Sequence, residues 1–319
     1  MAAAGVRAEG PALPAIVESV PNFSEGRRRE VIDSILDDVR RSAPVSILDF
    51  SSDASHNRSV LTLAGSPAAI NTALLALVAA CVERIDLRTH TGAHPRMGAV
   101  DVIPLVPIRG VSMQECVALA RSLGEAIAAR HGLPVYLYER AATSANRRNL
   151  ADIRKGGFEG FPAKIEEPAW TPDFGPRRVH PTAGCVAVGA REFLIAYNIN
   201  LATSDLDLAK SIARSIREKD GGFPCVKAMG VMLEDRHLAQ VSINMTDYRT
   251  TPLHVVFDRV REEAARHGVG IADSEIVGLV PAEALYQAAR HYLKLEGFDV
   301  SRVLERRLDE VMAGDGPAR

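Results

Sequence analysis

The chain has 319 residues, of which 47% are hydrophobic and 24% charged, with 38 Lys and Arg against 40 Asp and Glu and a formal net charge of −2. That length provides for two domains of ordinary size or one large one, and the near-balance of charge excludes a global electrostatic pull toward nucleic acid or membrane. Four widely spaced cysteines, Cys81, Cys116, Cys185 and Cys225, with no CxxC pair, exclude a disulfide scaffold and fit a reduced, intracellular setting.

Residues 1–15 are rich in alanine but interrupted by Arg7, Glu9 and prolines. They lack the apolar centre of a signal peptide and read as a disordered tail on a cytoplasmic protein. IVESV (16–20) predicts a short strand, and a helix follows from Arg28 to Ser42 with Ile32, Ile35, Leu36 and Val39 on one face. VSILDF (45–50) and RSVLTLA (58–64) predict two strands. Ser66-Pro67 is an N-cap and first-turn proline for a helix to about Ile85. The longest apolar stretch, Ala73 to Val82, is too short to span a bilayer. DVIPLVPI (101–108) predicts a strand whose prolines argue for a sheet edge. Val111 to His131 predicts a helix and PVYLY (134–138) a strand, and a Gly- and Pro-rich segment from Ser144 to about Pro176 predicts a long connection with a short helix at its start.

From Cys185 the alternation restarts. FLIAYNIN (193–200) predicts a strand, Asp205 to Glu218 a helix, and VKAMGVML (226–233) and AQVSINM (239–245) a hairpin turning at EDRH. Thr251-Pro252 predicts a second hydroxyl-capped helix start, EIVGLV (275–280) a strand, and Pro281 the start of a further helix. Each half therefore reads βαββαβ. The expected fold is α/β (α+β), two similar ferredoxin-like subdomains with antiparallel or mixed sheets. The boundaries are a tail at 1–15, subdomains at 16–190 and 191–312, and a tail at 313–319. The repeat leaves strand edges free to pair across a homodimer.

The densest concentration of special residues is THTGAHPRMGAVD (89–101). His90 and His94 are spaced as metal ligands on a helix would be, but Gly92 between them and Pro95 after them oppose a helix, so no metal is expected. No Gly-rich strand-to-helix turn is present to cradle a phosphate. The remaining reading is a rigid loop that presents a histidine: Gly92 and Gly98 allow tight turns or close backbone approach, and Pro95 holds His94 in extended geometry. Arg96 adds a planar fork for a carboxylate. A histidine near its ordinary pKa takes and returns protons at neutral pH.

HTGAHPRMGAVDVIP (90–104) resembles the central motif of the glutamate formiminotransferase (glutamate formimidoyltransferase) family. VPNFSEG (20–26) resembles the start of that family's sequence, DFGPRRVHPTAG (173–184) its folate-binding segment, and FLIAYNINL (193–201) the opening of its second subdomain. The similarity runs from about Val17 to Leu285. It implies two α/β subdomains with a ligand groove between them. The implied reaction moves the formimino group from N-formimino-L-glutamate to tetrahydrofolate as co-substrate, releasing glutamate in histidine degradation. Carried over by motif, the catalytic histidine is His94. The folate-binding segment is Gly175, Pro176, Arg177, Arg178, Val179, His180, Pro181, Thr182, Ala183 and Gly184. No counterpart of the cyclodeaminase domain fused on in mammals follows the second subdomain, so a single activity is expected.

Two departures stand out. Arg177 and Arg178 replace hydroxyl residues of the mammalian enzymes and are candidates for the glutamate or polyglutamate tail of folate. Ser51 stands where those enzymes have an acid at a strand end, which leaves Asp49, Asp53 and Glu25 as candidates to hold the cationic amidine. Both substrates bring carboxylates, which favours arginine forks such as Arg96, with Arg58 as a second. Asn198 and Asn200 alternate with Ile199 on a strand and share one face, a candidate substrate-facing pair. Two alternatives stay open at this level: formyl transfer between 5-formyltetrahydrofolate and glutamate, which would use the same shuttle and partners, and a folate-binding module without catalysis.

Overall fold

The computed structural model describes residues 14–93 and 95–312. The tail expectations over 1–13 and 313–319, and the position of His94, lie outside the described residues. The chain divides into two compact units, one ending at Glu192 and one beginning at Phe193.

The N-terminal unit runs β1 (Ile16–Ser19), β2 (Asn22–Phe23), α1 (Arg29–Ser42), β3 (Ser46–Asp53), β4 (Arg58–Gly65), α2 (Pro67–Arg84), β5 (Val100–Arg109), α3 (Met113–His131), β6 (Val135–Glu139), α4 (Leu150–Arg154), α5 (Gly157–Lys164) and β7 (Val186–Ala190). Its sheet has seven strands. β3 pairs with β4, and β4 pairs with β1 and β2, which pair in turn with β5, all antiparallel; β5 then pairs with β7 and β7 with β6 in parallel. The parallel pairs make this sheet mixed. β7 has no period to betray it: VAVGA is buried at all five positions, as a strand covered on both faces must be.

β5 is a central strand, which corrects the edge expectation drawn from its prolines. The Leu105 carbonyl accepts from Arg191 N on the β7 side, whereas the Pro104 carbonyl accepts from Ser19 Oγ on the β1 side. The missing N–H of Pro104 therefore faces the break between β1 and β2, since Ser19 pairs with Leu105 and Asn22 with Val102. That of Pro107 faces the β7 side, beyond the last β7 pair at Leu105–Ala190. Neither proline costs a ladder bond.

α1 buries Ile32, Ile35, Leu36 and Val39 at helical spacing. α2 starts at Ser66, whose hydroxyl accepts from Ala69 N at 3.3 Å, with Pro67 in its first turn. By length and composition α2 (18 residues, mean hydropathy 1.3) could cross a membrane, but Ile70, Leu74, Leu77, Val78 and Cys81 are packed into the core of this unit. α3 has a reciprocal capping box between Ser112 and Glu115. The helices α1, α2 and α3 share a core with one face of the sheet. The long connection covers the other face of β5, β7 and β6: Ile153 of α4 and Phe161 of α5 pack with Val102, Tyr136, Tyr138 and Ala187. A buried Arg147–Asp173 ion pair at 2.7 Å ties the connection down, and the Tyr136 hydroxyl donates to Trp170 O at 2.7 Å.

The C-terminal unit runs β8 (Ile195–Leu201), α6 (Leu206–Ile216), β9 (Val226–Leu233), β10 (Leu238–Met245), α7 (Leu253–Arg266), β11 (Ile271–Val277), α8 (Ala282–Leu293) and α9 (Leu304–Met312). Its four strands lie in the order β11-β8-β10-β9, all antiparallel. With β1 and β2 counted as one broken strand, the first strand in both units lies between the third and the fourth, and the second is beside the third at the sheet's edge. Ile195, Tyr197, Ile199 and Leu201 of β8 pack on α6 and α7. α7 does not start as expected: Pro252 is its N-cap without a side-chain bond, and the Thr251 hydroxyl donates instead to Pro224 O at 2.7 Å.

Candidate functional site

Four segments far apart in sequence meet at one end of the N-terminal sheet: the residues after β2, the β3–β4 turn, the loop over 87–99 and the turn over 180–184. Ser24 donates from N and Oγ to Ala99 O and Gly98 O, both at 2.8 Å. Leu87 N donates to Thr182 O at 2.8 Å, Ala99 N to Ala183 O at 2.9 Å and Cys185 N to Met97 O at 2.9 Å. The glycines of the loop are required by this clamping. A Cβ on Gly92 would lie 2.3 Å from His56 O, and one on Gly98 would lie 1.9 Å from Cys185 O, distances no side chain tolerates.

Asn57 is the centre of the arrangement. Its Oδ1 accepts from Gly26 N at 2.9 Å, its Nδ2 donates to Thr91 O at 2.9 Å, and its carbonyl lies 2.9 Å from His90 Nε2. Its φ of 50° is left-handed, a conformation that asparagine adopts more readily than most residues. The sequence reading passed over this residue. Its signal is a single asparagine in a polar turn, and the three partners that give it meaning are set by tertiary structure.

A small cleft here is lined by Phe23, Ser24, His56, Asn57, Arg58, His90, Arg96 and Asp101. Arg58 donates to Asn22 Oδ1, and its Nε is buried without a partner. Burial pulls the guanidinium down to about 10, the charge of Arg154 adds to this, and Asp101 and Asp53 oppose it. Arg154 itself is paired with Asp101, whose other oxygen accepts from Met97 N at 2.8 Å. Arg96 lines the cleft, and part of its fork is engaged: it binds Glu159 Oε1 at 2.8 Å and His90 O at 3.0 Å, leaving a buried Nε unpartnered among the described residues. Burial lowers the His90 imidazole below its ordinary range. The hydrogen bond with Asn57 opposes this, and Arg96 and Arg27 reinforce it.

The three carboxylate candidates separate. Glu25 is buried and spent on α1: its Oε1 accepts from Arg27 N and Arg28 N at 2.9 Å, and its Oε2 pairs with the Arg28 guanidinium. Burial pushes its carboxyl up, yet those N–H groups and the guanidinium outweigh burial and hold it low. Asp53 is exposed and shapes the β3–β4 turn, accepting from Ser55 N, His56 N and the His56 ring. The backbone N–H of His56, followed by its ring, lowers the Asp53 carboxyl. Asp49 lies in mid-strand on β3, half-buried and paired in register with Thr62.

In the segment from Gly175 to Gly184, Arg177 donates to Ile165 O at 3.0 Å and to Glu166 O, capping the end of α5. Arg178 is exposed. Val179 packs with the α4–α5 layer. His180 closes the turn: its Nδ1 accepts from Ala183 N at 3.0 Å, and its backbone exchanges bonds with Gly184. Burial lowers its imidazole. Ala183 and Gly184 are buried, Pro176 and Thr182 half-buried, and Pro181 exposed. In the C-terminal unit Asn198 and Asn200 share the sheet face turned away from α6 and α7. Asn198 donates to Glu275 at 3.0 Å and Asn200 to Asp273 at 2.5 Å, while Gln240 donates to Asn200 at 2.9 Å. Among the described residues no group of three His, Cys, Asp or Glu side chains is placed to hold a metal ion.

Residues 16–191 match the formiminotransferase domain, N-terminal subdomain, and residues 196–308 match the formiminotransferase domain. A glutamate formimidoyltransferase of Streptococcus pyogenes serotype M1 is 49% identical over 294 residues, 92% of this chain and 98% of that protein. One from Thermoplasma acidophilum is 47% identical over 297 residues, with the same shares covered. The formimidoyltransferase-cyclodeaminase of Gallus gallus is 43% identical over 287 residues, 88% of this chain and 53% of that protein. With matches to both subdomains and relatives at this identity, the chain belongs to the glutamate formimidoyltransferase family of transferases.

Proposed function

We propose that this chain transfers the formimino group of N-formimino-L-glutamate to N5 of tetrahydrofolate, giving 5-formiminotetrahydrofolate and L-glutamate, with His94 as general base and acid. The observation that best supports this reading is the cleft in which HTGAHPRMG, VPNFSEG and the Asn57-Arg58 turn converge, with the HPTAG turn bonded beneath the loop.

The chemistry follows from the substrates. The N5 amine attacks the amidine carbon, N5 loses a proton in the resulting tetrahedral intermediate, and the departing glutamate nitrogen gains one. One positioned histidine serves both transfers in sequence. Among the described residues Arg58 has no carboxylate partner of its own, and the Arg96 fork retains an unpartnered N–H. Both suit the carboxylates of the donor. The segment from Gly175 to Gly184 is proposed to bind folate through its backbone and through Arg178 and His180, with Arg177 holding the segment in place. Asp53, the exposed carboxylate of the turn, is proposed to attract the cationic amidine, and Asn198 and Asn200 to contribute amides to substrate binding.

The test is glutamate release from N-formimino-L-glutamate and tetrahydrofolate by the purified protein without added metal. His94→Ala is expected to lower kcat by roughly 10²–10⁴-fold while folate binding persists. Equal loss of turnover and folate binding would rule out a purely catalytic role.

A further inference from the structure

We infer that His90 sets the choice of transferred group, its Nδ1 lone pair accepting a hydrogen bond from the terminal N–H of the formimino group, at the position where a formyl group carries oxygen. This rests on the functional reading above.

The ring is held in one tautomer. His90 Nε2 lies 2.9 Å from the Asn57 carbonyl. A carbonyl only accepts, so Nε2 carries the proton and the lone pair of the neutral ring is on Nδ1. Asn57 cannot swing to offer something else, because its side chain is bonded at both ends, to Gly26 N and to Thr91 O. Nδ1 is shielded from solvent and has no hydrogen-bond partner among the described residues. A buried acceptor left empty is costly, which is the state expected of a group waiting for a ligand.

Its neighbours make the acceptor distinctive. Arg58 and Arg96 line the same cleft, and each holds a buried, unpartnered Nε. Guanidinium groups only donate, so they match carboxylate oxygens and repel an amidinium. Of the other side-chain acceptors, the Asn57 amide oxygen accepts from Gly26 N, and the Asp101 carboxylate accepts from Met97 N and is ion-paired with Arg154. In formiminoglutamate the amidine nitrogen is attached to the carbon that bears the α-carboxylate. A cleft that sets arginine donors beside an uncharged histidine acceptor matches that short array of charges. Burial keeps the ring neutral, and so an acceptor, at neutral pH. A formyl oxygen in the same place would set lone pair against lone pair.

The experiment compares kcat/KM for N-formimino-L-glutamate and N-formyl-L-glutamate, with tetrahydrofolate as acceptor, in the unaltered protein and in His90→Gln and His90→Asn. The Gln amide reaches the Asn57 carbonyl but places no acceptor at Nδ1; the Asn carbonyl falls near Nδ1. Intrinsic reactivity of the donors cancels between variants. The unaltered protein is expected to prefer the formimino donor by roughly 10²-fold or more, since a site built around a substrate N–H rejects the analogue lacking it. His90→Gln is expected to narrow that preference at least about tenfold, by loss on the formimino donor alone, while His90→Asn retains most of it. Equal losses on both donors would show a structural residue and overturn the inference. If the Gln variant does not fold, N-formyl-L-glutamate is measured as a competitive inhibitor of the unaltered protein; a Ki equal to the KM of the formimino donor overturns the inference. No glutamate release from either donor in the unaltered protein would instead overturn the functional reading, and this inference with it.

Discussion

The two units build the same strand order and then treat the corresponding ends of their sheets differently. In each, the hairpin between the second and third strands carries an arginine. Arg58 enters β4 from the β3–β4 turn, is largely buried, finds only an amide oxygen, and is pulled down to about 10 by burial. Arg236, in the turn between β9 and β10, is half-exposed and paired with Asp273 at 2.6 Å, and the hydrogen bond it donates to that carboxylate raises its pKa. The difference comes from what surrounds the hairpin. In the N-terminal unit α3, β6 and β7 extend the sheet in parallel, and the 180–184 turn that precedes β7 pins the 87–99 loop beside Arg58. Among the described residues the C-terminal unit has no such extension, and the corresponding sheet face carries cross-strand bonds among Asn198, Asn200, Gln240, Asp273 and Glu275. One strand order thus yields a walled cleft in one unit and a polar, cross-bonded sheet face in the other, according to whether a further layer is added.

The sharpest way to break this contrast is at the pinning contact. Gly98→Ala sets a Cβ 1.9 Å from Cys185 O, and both are backbone-held. A loss of about 3 kcal/mol or more is expected in denaturant unfolding, together with loss of turnover. Gly230→Ala, whose Cβ would lie 2.5 Å from Lys210 N of α6, should destabilise the C-terminal unit by a comparable amount through helix–sheet packing. A Gly98→Ala protein of unaltered stability would remove the pinning account.

Next in size is a buried acid. β1 of the N-terminal unit buries Glu18, whereas its counterpart β8 buries the neutral Asn200. Burial raises the Glu18 carboxyl from 4.5 to about 7, with Arg191 opposing. Because the folded state holds this proton more tightly than the unfolded chain, its contribution is fully present below about pH 4.5 and is lost as pH rises through about 7. The loss is of order 3 kcal/mol. Glu18→Gln should flatten that decline, seen as unfolding midpoints at pH 5 and pH 8 that no longer diverge. A Gln variant as pH-dependent as the parent would assign the decline elsewhere.

The smallest effect compares the two arginines directly. Arg58→Lys should raise the KM for the formimino donor by roughly 10-fold, because an ammonium cannot reproduce the fork. Arg236→Lys should change KM and stability little, since water screens an exposed pair. Equal effects at the two positions would mean that burial of Arg58 confers nothing on binding.

Much of the fold was legible. The helical spacing of Ile32, Ile35, Leu36 and Val39, the Ser66-Pro67 start and the alternation of elements in each half are local patterns, and the structure contains them. The resemblance carried by HTGAHPRMG and VPNFSEG agreed with the family comparisons. What local pattern could not show was pairing. The prolines of β5 suggested an edge because the break between β1 and β2 that accommodates one of them lies more than 80 residues away. Thr251 looked like the cap seen at Ser66, but its hydroxyl found the carbonyl of Pro224.

The site divides in the same way. Sequence alone determined which residue types are available and how stiff their loop is: two histidines, Arg96, and the glycines and proline around them. Only the tertiary structure decided that Glu25 caps a helix, that Arg177 holds the end of α5, and that Asn57 orients His90. The physical reason is that a polar side chain takes its role from the partner it meets in a buried place, and these partners, His90 and Asn57 among them, come from separate elements of the chain.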